Sequence, residues 1–277
     1  MLNKKLYKYI MAALFIALNF TGVFINIKMP TGMVHLGNFI LIIGSILLGG
    51  PLGGFSGAIG MMLADIHLGY GLPSAVRTLV LKFITGLIAG FMFRDLIKKG
   101  NRYKKINIVV TIIVFIFLIS TIVLSVLSYK NIFTISYYKG DTLQNKSLVF
   151  HWIIPVLTFV IFVMSLVNLI FSGKVDRISA ISLLSTSTAL AFNIFGEVFI
   201  KALIYYWLNP SYNSYEASFM YSVTGLPSTL ITSAVTAILV SFVIYPILKA
   251  LKNTNQAKYL DLYLDDEEVK NEEIEND

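Results

Sequence analysis

Three groups of polar residues stand inside or beside long apolar stretches, and they are the places where this chain could do chemistry. The first is His35 and Asn38, three apart in Val34–His35–Leu36–Gly37–Asn38, so that both can point one way at the start of a helix. Asn38 either hydrogen-bonds between helices or meets a ligand, and His35 either rests at an interface or does the same. The second group is Asp65, His67 and Tyr70, followed by Arg77 and Lys82. Asp65 and His67 are two apart and would face different sides of a helix, which argues against a local metal site. Lys82 lies between Leu81 and Phe83, and a buried ammonium needs a partner: either a structural ion pair, with Asp65 and Glu197 as candidates, or an anion of the substrate. The third group is Asn193, Glu197 and Lys201, at i, i+4 and i+8, where Glu four before Lys is the favourable pairing order. Beyond it Tyr205, Tyr206, Trp207, Tyr212, Tyr215 and Tyr221 form either an interfacial aromatic belt or a stacking surface over a planar ligand.

These residues have to be positioned by membrane helices. Of 277 residues, 56% are hydrophobic and 13% charged, and the mean hydropathy is +0.76. A soluble domain carries about 25% charged residues, so much of this surface faces lipid. The chain has no cysteine, which removes disulfides and thiolate chemistry. It has no Gly-x-x-x-x-Gly-Lys-Ser/Thr, no His-Glu-x-x-His and no Gly-x-Ser-x-Gly, and its three histidines (His35, His67, His151) lie in unrelated segments. The reading is a binding protein and not an enzyme, with no cofactor.

Eight apolar segments are predicted as spans: Leu6–Ile27, Leu36–Gly50, Leu52–Leu68, Ser74–Ile97, Ile106–Ser128, Val149–Phe171, Ile178–Trp207 and Phe219–Leu251. Gly49, Gly50, Pro51, Gly53 and Gly54 predict a tight turn between the second and third. The lysines before the first span resemble a signal-peptide n-region, but its apolar stretch is too long and no cleavage pattern comes after it, so it reads as an anchor. Residues 1–260 form the membrane domain, with 21 bases against 6 acids; residues 261–277, with nine acids and Lys270, read as a solvated cytoplasmic tail. Lys and Arg crowd alternate joins, which predicts both termini on the cytoplasmic side of the cell membrane. The bases are scattered between apolar spans, so nucleic acid is not the expected partner. Ser45, Gly49, Gly53 and Gly57, the pair Gly86–Gly90, and Ala13 with Ala17 are small residues spaced for close helix packing.

Taken in order, Val34–Asn38, Leu47–Gly54, Gly57–Asp65 and Leu81–Gly90 closely resemble the substrate-binding S components of energy-coupling factor (ECF) vitamin transporters, and Gly225–Leu226–Pro227–Ser228 resembles that family's entry to its last helix. The resemblance covers residues 34–97 well and 178–251 loosely. It implies an all-α, six-helix membrane bundle that captures a vitamin or vitamin precursor at the outer face. Partners supply the energy: a transmembrane T component, reached through Ala13 and Ala17, and two cytoplasmic ATPase subunits. The departure is residues 106–171, which add two spans between the family's fourth and fifth helices and leave the orientation of the later helices unchanged. On this reading His35, Asn38, Asp65, Tyr70, Lys82, Asn193, Glu197, Tyr205 and Trp207 bind substrate near the outer surface. The alternative is a self-sufficient carrier driven by an ion gradient, with Asp65 and Glu197 as coupling carboxylates. No inverted repeat or broken-helix pair speaks for it.

Overall fold

The computed structural model describes residues 3–29, 32–98, 102–129, 136–139, 142–145, 154–171, 177–209, 211, 215–254 and 256–262. It is an all-α membrane bundle: α1 (Lys4–Phe24), α2 (Gly37–Leu48), α3 (Gly50–His67), α4 (Gly71–Lys98), α5 (Arg102–Tyr129), α6 (Ile154–Phe171), α7 (Arg177–Leu208), α8 (Tyr215–Thr224) and α9 (Leu226–Asn253). Two small antiparallel hairpins interrupt it, β1 (Asn26–Met29) with β2 (Gly32–His35) and β3 (Ser136–Lys139) with β4 (Thr142–Asn145).

Each expected span contains a helix, but two boundaries move. The first helix stops at Phe24, and Ile25–Ile27, read as its end, turn into β1; Leu36 N–H is then bonded back to Gly22 and Ile25 carbonyls. The last expected span is two helices, because the chain breaks at Gly225 between α8 and α9. Apolar composition alone hid both, since Ile25, Ile27 and Phe219 look no different in a hairpin or short helix than in a span. Five helices among the described residues are long and apolar enough to cross a membrane, within α1, α4, α5, α7 and α9. The 12 residues of α2 rise only about 18 Å, short of a hydrocarbon core of about 30 Å.

Close backbone approach holds α2, α3 and α4 together. Gly49 turns the chain from α2 into α3 at φ +87°, a conformation that disfavours a side chain, and Pro51 opens α3 in its first turn. A Cβ on Gly53 would overlap the backbone of Gly44 and Ser45 in α2; one on Gly90 of α4 would overlap Gly50 and Ser45. In lipid, where no hydrophobic force draws helices together, contact of this kind carries the association. Leu41, Ile42, Ile46, Phe93, Ile181, Leu184, Ile244 and Leu248 fill the interior beneath, drawing on α2, α4, α7 and α9.

At one end of the bundle the chain folds back on itself. Asp261 pairs with Lys4 and Lys8, Tyr7 donates to Gln256 at 2.6 Å, and Arg94 donates to Leu260 O at 2.7 Å and Leu47 O at 3.1 Å. Burial alone would raise the Asp261 carboxyl, but the hydrogen bonds and charges of Lys4 and Lys8 outweigh it and hold it below its usual range. Leu260 and Leu262 are buried, so packing continues through Leu262 into the stretch expected as a solvated tail; residues 263–277 lie outside the described residues. The end of α1, the β1–β2 hairpin and the start of α9 lie at the opposite end. Along α1, Asn19 is buried, whereas Ala13 and Ala17 are exposed on the helix's outer side.

The pair α5–α6 packs on itself through Thr111–Ser165 and Thr121–Thr158 hydroxyl contacts at 2.8 and 3.0 Å, and leans on α7 and α9.

Gly90→Val should destabilise the protein by about 1–3 kcal/mol or more, because the added atoms meet backbone that cannot swing aside. Ile113→Val, on an exposed face, should stay within about 0.5 kcal/mol. Thermal unfolding of the two variants in detergent checks the contrast.

Candidate functional site

The turn Leu68–Gly69–Tyr70 between α3 and α4 uses positive φ at Gly69 (+75°), and α4 starts on Gly71 (+79°). That reversal brings Asp65, near the end of α3, against Ser74 and Thr78 in the first turns of α4. Both hydroxyls donate to Asp65 Oδ2, at 3.0 and 2.6 Å. Arg77 stands between two carboxylates, 3.5 Å from Asp65 Oδ2 and 3.3 Å from Glu197 Oε2 on α7. One turn deeper on α4, Lys82 donates to Asn193 Oδ1 at 2.7 Å and lies 3.5 Å from Glu197 Oε1. The result is one chain of buried polar groups across α3, α4 and α7. Removing one partner of such a pair strands the other, typically at a cost of about 3–5 kcal/mol.

Above this chain opens a cavity of about 640 Å³. Met33 and His35 of the hairpin, Asn38 of α2 and Met61 and Asp65 of α3 line one side. Ser74, Arg77, Thr78 and Lys82 of α4, with Asn193, Glu197, Lys201 and Tyr205 of α7, line another. Tyr221 of α8, Gly225 and Ser228, Thr229 and Thr232 of α9 complete it. Lys28 and Tyr70 stand at the rim, and Tyr70 reaches toward Met33 Sδ at 4.0 Å. Asn38 and Asn193 are buried, and Asn38 Oδ1 and Asn193 Nδ2 have no hydrogen-bond partner among the described residues.

His35 Nδ1 accepts a hydrogen bond from Gly37 N–H at 3.1 Å, which places the ring proton on Nε2 and requires a neutral ring. Burial, followed by the nearby charge of Lys82, lowers its pKa to about 3. The ring therefore serves the cavity as a neutral donor at physiological pH.

Eight of the nine residues expected at a binding site converge here: His35, Asn38, Asp65, Tyr70, Lys82, Asn193, Glu197 and Tyr205. Trp207 does not. It is 71% exposed on the outside of α7, with Tyr206 beside it and ring-stacked edge-on to Tyr215; two and one residues past Tyr205, both have rotated off the cavity face. The Glu197–Lys201 pair expected along α7 gives way to cross-helix pairing, because Arg77 and Lys82 present two cations to Glu197 from α4. Lys201 instead lies over the Tyr221 ring, 4.7 Å from its centroid. His67 packs against Phe20 and Phe24 on the far side of α3 from Asp65. His151 and Tyr212 lie outside the described residues.

Sequence reasoning misses several lining residues. Arg77, named beside Asp65 but not among the residues expected to bind substrate, is the centre of the charge chain. Ser74 and Thr78 carry a usable signal, at i−3 and i+1 from Arg77 on the helix after Asp65. Ser228, Thr229 and Thr232 carry none, since hydroxyls are common in apolar helices.

The family described as ECF-type riboflavin transporter, S component, matches residues 3–171, more than half of the chain. This chain belongs to that family. The match runs from α1 through α6 and so includes α5–α6; it stops before α7. An "Uncharacterized protein in gap 3'region" of Pyrococcus woesei is 33% identical over 88 residues, covering 31% of this chain and 57% of that protein, so the chain spans little more than half the length of this curated relative. No solved structure matches. The family is one of membrane transport subunits and not of enzymes, which agrees with a chain whose polar residues build a cavity.

Protein stability should fall as pH drops from about 6.5 toward 3, because the unfolded histidine takes up a proton that folded His35 refuses. At higher pH both states are neutral and the effect vanishes. Melting temperatures of wild type and His35→Gln, compared between pH 7 and 5, should diverge, with the wild type losing more; parallel curves would show that His35 titrates normally when folded.

Proposed function

We propose that the chain is the substrate-capturing subunit of an ECF-type importer, binding a vitamin or vitamin precursor in the cavity beneath the β1–β2 hairpin. The carrying observation is that cavity: about 640 Å³, open at one end of a membrane bundle, walled by apolar helices and furnished with convergent polar groups. Unpartnered Asn38 Oδ1 and Asn193 Nδ2 offer an acceptor and a donor to a polar heterocycle, and a flavin, from the family's own description, is the first class of molecule to test.

In this reading the cavity end faces outward and both termini are cytoplasmic, in keeping with the bases that crowd the joins on the terminal side. Transport is powered by a T component and two ATPases, and the exposed Ala13–Ala17 stripe of α1 is where the T component docks. Helices α5 and α6 are an added pair. What supports this is packing, since α1–α4, the β1–β2 hairpin, α7, α8 and α9 line the cavity and no described residue of α5 or α6 does, while α5 and α6 pack chiefly on each other. The ion-coupled alternative is disfavoured because Asp65 and Glu197, its coupling carboxylates, are both engaged by Arg77.

Asn38→Ala should weaken capture at least tenfold with little change in melting temperature, because Asn38 Oδ1 holds up no protein contact among the described residues. Asp65→Ala and Lys82→Ala should weaken both capture and stability. Titration of the purified protein with riboflavin, or with whichever molecule mass spectrometry finds bound to it, measures this. Unchanged affinity in all three variants would remove the cavity as the binding site.

A further inference from the structure

Within the capture reading, the cavity's charges do not balance, and the excess has a definite place. Asp65 and Glu197 are its two carboxylates among the described residues, and Arg77 and Lys82 occupy them. Lys201 remains. It is 7% exposed, lines the cavity, and has no carboxylate or hydrogen-bond acceptor in reach among the described residues. Its contacts are the faces of Tyr221 and Tyr205, at 4.7 and 5.8 Å from the ring centroids. Aromatic faces attract an ammonium but do not neutralise it, and a buried charge without a counter-ion is costly in a membrane protein unless function requires it.

The surroundings of Lys201 are electropositive as well. Its Nζ sits at Gly225, where a Cβ would come within 3.1 Å of it, and Gly225 is the N-cap of α9. The first turns of α9 present the hydroxyls of Ser228, Thr229 and Thr232 to the same cavity. A helix N-terminus favours negative charge, and here it adds to the buried cation.

We propose that the molecule captured by this protein carries an anionic group, a carboxylate or a phosphate, seated between Lys201 and the first turn of α9. Its neutral polar part then reaches down to Asn38 and Asn193. The anion supplies the counter-charge that Lys201 lacks, and the Tyr205 and Tyr221 rings wall the group in.

The test is to equilibrate purified protein in detergent with a bacterial metabolite extract supplemented with equimolar riboflavin and riboflavin 5′-phosphate, a neutral–anionic pair. The bound molecules are then identified by mass spectrometry for wild type, Lys201→Gln, Lys201→Arg and Asn38→Ala, each first shown to be monodisperse. The expected result is a bound anion, with the mass spectrum distinguishing phosphate from carboxylate. Its occupancy should fall at least tenfold in Lys201→Gln and be largely kept in Lys201→Arg. Preferential capture of riboflavin or another neutral molecule, lost in Asn38→Ala, would overturn the anionic proposal and leave the capture site standing. So would a bound anion whose occupancy Lys201→Gln leaves unchanged while Asn38→Ala lowers it. Wild type that captures nothing, or binding indifferent to every variant, would overturn the capture reading and this proposal with it.

Discussion

Arg77 is held between Asp65 of α3 and Glu197 of α7, and Glu197 is shared in turn with Lys82 of α4. This chain of charges dictates much of the molecule. Ionised side chains at membrane depth are tolerated only where they pair inside the bundle or face a wet cavity, and these groups do both. Their pairing fixes α3, α4 and α7 around one axis, and their polarity keeps open the space above them. The same two cations draw Glu197 away from Lys201 on its own helix, leaving that ammonium to the tyrosines.

Such a chain closes only if the helices come near enough, and the backbone of α2–α4 supplies that. With Gly53 against Gly44 and Ser45, and Gly90 against Gly50 and Ser45, no side chain separates these helices. Ser74 and Thr78 then fall within hydrogen-bond reach of Asp65, and Arg77, which donates to Thr78, within ion-pair reach of it. The shortness of α2 belongs to the same arrangement. A helix of 12 residues leaves room at one end for the β1–β2 hairpin, which spans the cavity edge with Met33 and His35.

The helical architecture was legible because lipid forces it: long apolar runs with isolated polar residues have few other ways to satisfy their backbone. Glycine spacing exposed the α2–α3–α4 packing for the same reason. Within the site, polar residues that violate the apolar pattern, such as Asn38, Asp65, Lys82, Asn193 and Glu197, announced themselves. What stayed hidden depended on three-dimensional choice. Which carboxylate Lys82 takes, whether Glu197 looks along α7 or across to α4, and whether Tyr205 or Trp207 faces inward are decided by partners distant in the chain. The hairpin was concealed because Ile25 and Ile27 continue an apolar run, and Arg77 because a base near a helix start reads equally well as a surface residue.

The position of the cavity constrains how such a protein can work. Beneath Lys82 and Asn193 the interior is filled by Ile42, Ile46, Phe93, Ile181, Leu184, Ile244 and Leu248. At the far end Asp261, Gln256 and Leu260 fasten the C-terminal segment to α1 and α4. A polar molecule entering at the hairpin end therefore meets a polar floor and then a block of close-packed apolar side chains. Pushing it through would require separating helices whose backbones touch. Moving the whole bundle, with its cavity, relative to the membrane would leave those contacts intact. The packing thus suits the proposed capture at one end better than passage through the bundle, and the exposed face of α1 lies outside both the cavity and the fastened end.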